Sequence, residues 1–76
     1  MTKEKKIAFS KMTIKSVYAT GELTDSESGE LYEVLKRLEF CEKVLTQKNT
    51  EKAVRDDCET ILDGIYESCV EMNKML

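Results

Sequence analysis

The 76-residue chain contains no histidine. That removes the commonest general base and the commonest transition-metal ligand. Ser–His and Cys–His catalysis are excluded within one chain. Proline is also absent, which suits elements that run without a break. The three glycines, Gly21, Gly29 and Gly64, are isolated, and none belongs to a GxGxxG or GxxxxGK pattern. No stretch approaches the roughly 20 apolar residues that a bilayer span needs. Met1 to Ser10 begins basic but leads into no long apolar run. It does not read as a secretory signal, and a cytoplasmic location with no membrane contact is expected.

Cysteine is scarce and odd in number: Cys41, Cys58 and Cys69, with no CxxC spacing. An extracellular disulfide framework does not fit that pattern. A structural zinc site needs a fourth ligand and closer spacing. Each cysteine falls on an apolar helical stripe, where a reduced thiol acts as a small hydrophobe. A redox role for these thiols is the minor alternative. The sequence therefore points to no enzyme and no cofactor or metal.

What the chain does have is helical periodicity. Between Thr24 and Lys48 the apolar positions are Leu31, Val34, Leu35, Leu38, Cys41, Val44 and Leu45. Steps of three and four place them on one helix face. Thr24 with Glu27 forms a capping-box pattern at the start. Gly29 weakens the first turns, so a start at Gly29 or Glu30 is the alternative. Thr46 to Thr50 carries turn formers and no long apolar side chain. A second helix, residues 50–76, follows with Val54, Cys58, Ile61, Leu62, Ile65, Cys69, Met72 and Leu76 on one face.

The two stripes fall into antiparallel register. Leu45 with Val54, Cys41 with Cys58 and Leu38 with Ile61 have position numbers of one constant sum. Leu35 with Ile65 and Leu31 with Cys69 exceed it by one. A short turn joining antiparallel neighbours produces that pattern. The apolar surface is wider than one partner helix covers. Leu62, Tyr66 and Val70 lie beside the main seam, Met75 lies on its other flank, and Tyr32 and Phe40 lie outside it. The N-terminal segment, a second copy of the chain or a target must cover the excess.

Residues 1–23 read differently. Ile7 to Thr20 is rich in β-branched and aromatic residues. Ile7 and Phe9 alternate, then Met12, Ile14 and Tyr18 alternate with opposite parity, which implies a turn or bulge near Ser10 and Lys11. The pattern predicts a β-hairpin or bent strand ending at Gly21. The competing helix, with Ile7, Ile14, Val17 and Tyr18 on one face, lacks an apolar residue at position 10 or 11. The expected fold is thus one α-dominated α+β domain, with the N-terminal β-hairpin or strand packed on a two-helix hairpin. A small core favours a homodimer.

The formal charge of −3 is uneven. Met1 to Thr20 holds five lysines against Glu4, a net of +4, and the remainder nets −7. Lys5, Lys6, Lys11 and Lys15, with Lys3, are candidate phosphate contacts on a ribbon entering a DNA groove. A strand followed by two helices loosely resembles ribbon–helix–helix repressors. Both helices here are longer than that motif uses, and the arm holds no arginine, the commonest guanine reader. Asp56, Glu59 and Asp63, continued by Glu67, form an acidic helical ridge that is either a solvated face or a contact for a basic groove. Tyr32, Phe40 and Tyr66 are candidate partner anchors, since aromatics dominate interface hot spots, or they pack beneath the N-terminal segment. The leading expectation is a non-enzymatic protein-binding module that regulates or inhibits a protein partner, of the phage- or plasmid-type modulators of host machinery. The alternative is a DNA-binding transcriptional regulator.

Overall fold

A computed structural model describes residues 1–75. It contains three helices, α1 (Lys3–Ala19), α2 (Asp25–Thr46) and α3 (Lys52–Met75). Among the described residues there is no strand. The α+β expectation is therefore wrong, and the molecule is a three-helix bundle.

The N-terminal segment is the element that differs. Thr2 caps α1, its hydroxyl accepting from the Lys5 amide at 3.2 Å, and Glu4 sits in the first turn. Both features satisfy or complement the unpaired amides of a helix start. Ile7, Ser10 and Ile14 then recur at steps of three and four and are buried, together with Thr13. The position that lacked an apolar residue is filled by a fully buried serine. A bundle interface accepts a small polar residue where two helices approach closely, so an apolar count alone misses this face. Met12, placed in the alternating set, is exposed. Gly21 does end the element, but as a helix cap. It adopts φ +69°, and its amide donates to the Tyr18 carbonyl at 3.2 Å. That left-handed conformation favours glycine.

The helical hairpin is present as α2 and α3. The capping box at Thr24 is formed on both sides: the Glu27 amide donates to the Thr24 hydroxyl at 3.1 Å, and the Thr24 amide donates to the Glu27 carboxylate at 3.0 Å. The helix starts at Asp25 and tolerates Gly29 inside it. At the other end Arg55 donates to the carbonyls of Gln47 at 2.7 Å and Leu45 at 3.3 Å. Thr50 donates to the Val44 carbonyl at 3.3 Å. The last carbonyls of α2 are thereby satisfied by the chain that turns into α3. Cys41 and Cys58 meet near the turn, and Leu31 and Met72 line one groove at the far end, so the helices are antiparallel.

Helix α1 runs parallel to α3 and antiparallel to α2. Lys6 bonds Asp63, 57 positions later, and Ser10 meets Cys69, 59 positions later. Against α2, Lys11 bonds Glu42 and Tyr18 donates to the Ser28 carbonyl, the separation shrinking from 31 to 10 positions. Ile7, Ile14, Leu31, Leu38, Leu62, Ile65 and Cys69 form the main core, and Cys41, Val44 and Cys58 a smaller one at the turn.

Packing against two helices rotates the buried sector of α3 toward α1. Leu62 is fully buried, whereas Ile61, assigned to the seam opposite Leu38, is 40% exposed and Val54 is 37% exposed. Leu76, assigned to the same stripe, lies outside the described residues.

Candidate protein-binding surface

The ten candidate side chains separate into those that hold the bundle together and those that face outward. Tyr66 belongs to the first set. It is half-buried, and its ring meets Phe9 of α1 edge-on at 5.4 Å between centroids. The Lys6 ammonium lies 5.6 Å from the same centroid. Such edge-to-face and cation–π contacts fix the α1–α3 seam.

Two residues of the acidic ridge serve the same seam. Asp63 pairs with Lys6 at 2.6 Å, and Glu59 pairs with Lys3. The hydrogen bond to Asp63 is the main reason the Lys6 ammonium is held above its ordinary pKa. Asp56 is exposed and belongs to no ion pair among the described residues. The ridge is therefore divided, with its α1-facing edge neutralised by lysines.

The basic arm is divided in the same way. Lys3, Lys6 and Lys11 turn inward to Glu59, Asp63 and Glu42, while Lys5 and Lys15 stay exposed. Since α1 is a helix, the ribbon that would carry these lysines into a DNA groove does not exist. Long ammonium side chains on a docked helix reach the acidic flanks of the neighbouring helices, so part of the unequal charge of the two parts of the chain is neutralised across the seams.

Tyr32 and Phe40 form the outward set. They are 53% and 57% exposed. Both project from α2 away from its buried face, eight positions apart, which is about 12 Å along a helix. Lys36 lies one turn from each, and its ammonium is 5.2 Å from the Tyr32 centroid. Hydrogen bonding to the Tyr32 hydroxyl is the first cause holding the Lys36 pKa above its ordinary value. Lys43 borders the same strip and is exposed, as are Glu33 and Glu39, whereas Arg37 faces the groove toward α3. The regular Tyr32–Lys36–Phe40 spacing of four is the signal in the sequence that places the Lys36 cation on this face.

The strip offers apolar anchors and charge of both signs, since Glu33 and Glu39 are exposed on α2 beside Tyr32, Lys36 and Phe40, and the Glu39 carboxylate also helps hold the Lys36 pKa up. Among the described residues no group of three or more cysteine, aspartate or glutamate side chains is placed to hold a metal ion. Among them, no helix is long and apolar enough to cross a membrane. The three thiols are free and buried. Burial is the first cause that pushes the Cys41 thiol up to about 11, followed by its neighbour Cys58, and burial also raises Cys69. Comparison with protein-family models, with curated proteins and with solved structures gives no match.

Proposed function

We propose that this chain is a non-enzymatic protein-binding module that regulates or inhibits a partner by occupying its surface, through the outer face of α2. The observation that carries this reading is the exposure of Tyr32 and Phe40 on one helix face while Phe9, Tyr18 and Tyr66 are packed. Two large aromatics left outside a core this small are a cost to solubility that a contact surface explains. Aromatic side chains supply the buried centre of protein interfaces, and charged residues supply the rim. Lys36 and Lys43 beside the aromatics, interleaved with Glu33 and Glu39, call for a partner patch that is apolar at its centre and carries charge of both signs at its edge. The free thiols suit a reducing compartment, and we place the protein in the cytoplasm.

Affinity capture from cell lysate, run with and without nuclease and read by mass spectrometry, tests this reading. A specific protein that survives nuclease treatment and is lost with Tyr32→Ala/Phe40→Ala supports it. Recovery of nucleic acid alone, or of proteins released by nuclease, moves the assignment to nucleic-acid binding through the exposed lysines.

A further inference from the structure

We infer that Cys41 and Cys58 form a redox-sensitive latch at the turn end of the bundle. They are two free thiols in the reduced chain, and they join as one intrachain disulfide, tying α2 to α3, when a small-molecule disulfide of the oxidised-glutathione class is in excess. The latch lies inside the hairpin and does not rest on the reading of the outer face of α2.

The first observation is how the fold divides the three cysteines. Cys41 and Cys58 are fully buried across the α2–α3 seam, in a small cluster whose other buried member is Val44. Cys69 belongs to the main core, 11 positions from Cys58 on the same helix, which is roughly 16 Å. Its thiol donates to the Ser10 carbonyl. The fold thus offers one pair and sets the third cysteine apart.

Geometry is the second. Packed helices lie about 8–10 Å apart, and each Cα stands about 2.3 Å from its own axis. Residues that face each other across such a seam therefore have Cα atoms about 3–5 Å apart, and slightly more where they are offset along the axes. A disulfide spans a Cα separation of about 4.4–6.8 Å. Two small residues facing each other on one seam meet that requirement with little movement of either helix. The thiols also sense each other: after burial, Cys58 is the next cause that raises the Cys41 pKa.

The third is where the pair sits. Its cluster stands apart from the main core, beside the loop of residues 47–51 that joins α2 to α3. Hydrogen bonds from Thr50 and Arg55 hold that loop to the end of α2. So small a cluster lets this end open without unfolding the rest. Opening is required, because a buried thiol with a raised pKa is a poor nucleophile in the closed chain. In the opened state one thiolate of the pair attacks a sulfur of oxidised glutathione and expels a glutathione thiolate. The second thiolate attacks the protein sulfur of that mixed disulfide and expels the other glutathione. The two protons and two electrons of the protein thiols end on two molecules of reduced glutathione. Excess reduced glutathione reverses both steps. The closed link ties positions 17 apart, which restricts the unfolded chain and stabilises the hairpin.

A glutathione redox titration of the full chain in native buffer, read by mass spectrometry after alkylation and trypsin, tests the inference. Lys43, Lys48, Lys52 and Arg55 lie between the two cysteines, so the peptides Leu38–Lys43 and Asp56–Lys74 stay joined only through a cross-link. The oxidised wild type is expected to lose two hydrogens and to yield that joined pair with Cys69 alkylated. Its urea midpoint should exceed that of the reduced chain, and dithiothreitol should restore the lower value. Cys69→Ala should behave in the same way, and Cys58→Ala should not form the link. A wild type whose Cys41 and Cys58 stay free, or stop as glutathione adducts, while the urea-unfolded chain oxidises, overturns the inference. So does a link that includes Cys69 or a second chain, or one that lowers the urea midpoint.

Discussion

The thiol of Cys69 on α3 donates to the backbone carbonyl of Ser10 on α1 at 3.8 Å, and both residues are fully buried. This contact joins α1 to α3 at a fully buried point of the seam. A side chain the size of leucine at position 10 would hold the two helices apart. The Ser10 hydroxyl, by contrast, is buried with no hydrogen-bond partner among the described residues.

Size and polarity at this site predict opposite effects. Ser10→Ala keeps the carbonyl contact and removes an unsatisfied hydroxyl, so stability should rise by up to about 1 kcal/mol. Ser10→Leu should lower it by roughly 1–3 kcal/mol through overpacking. Urea unfolding midpoints followed by circular dichroism separate the two outcomes.

Ser10 also explains which part of the fold was legible in the sequence. The hairpin was readable because its apolar residues repeat at helical spacing on two helices joined by one short turn, and Cys41 does meet Cys58. Helix α1 was not readable from apolar residues, because half of its buried face is Ser10 and Thr13. Its β-branched residues and broken alternation imitated a bent strand. The misplacement of Ile61 follows from the same error. With no third helix to pack on, α3 was oriented toward α2 alone, and its buried sector was centred too far from Leu62. Of the site, the aromatics of α2 were legible as lying off the seam. The packing of Tyr66 and the pairing of Glu59 and Asp63 depend on α1 and were not.

Helix α1 is held by apolar burial more than by its lysines. Ile14 is fully buried, whereas the Lys3–Glu59 and Lys11–Glu42 pairs are about 40% exposed at their side chains. Ile14→Ala should cost roughly 2–4 kcal/mol. Lys3→Ala and Lys11→Ala should each cost about 0–1 kcal/mol. Thermal melts at low and high salt check this: high salt should leave the wild-type midpoint nearly unchanged.

Alkaline pH should loosen the turn end of the bundle. The Cys41 thiol is raised from 9.0 to about 11 in the folded chain, so the folded state binds its proton more tightly than the unfolded state. The stabilisation is complete below about pH 9 and is lost as pH rises toward 11, at up to roughly 1.4 kcal/mol per pH unit. Unfolding midpoints at pH 8 and pH 10 should differ more for the wild type than for Cys41→Ala. The native thiols should also react with Ellman's reagent far more slowly than those of the unfolded chain.

The capping box of α2 has the opposite pH dependence. The Glu27 carboxyl is held below its ordinary value of 4.5, first by the Thr24 amide and then by the Thr24 hydroxyl. Its contribution is present above the unfolded pKa and is lost as pH falls through the folded one. Thr24→Ala should cost about 1 kcal/mol at neutral pH. The loss of stability on acidification attributable to this site should shrink in the variant, as read from melts between neutral and acidic pH.

Binding through the outer face of α2 is the central claim, and it is tested most directly by the affinity of the captured, nuclease-resistant partner for wild type and for Tyr32→Ala/Phe40→Ala. Circular dichroism should show both chains equally folded, since both side chains are exposed. The account predicts that the double variant binds at least about 30-fold more weakly, the loss of a hot spot worth some 2 kcal/mol. Equal affinity for the two chains would contradict it.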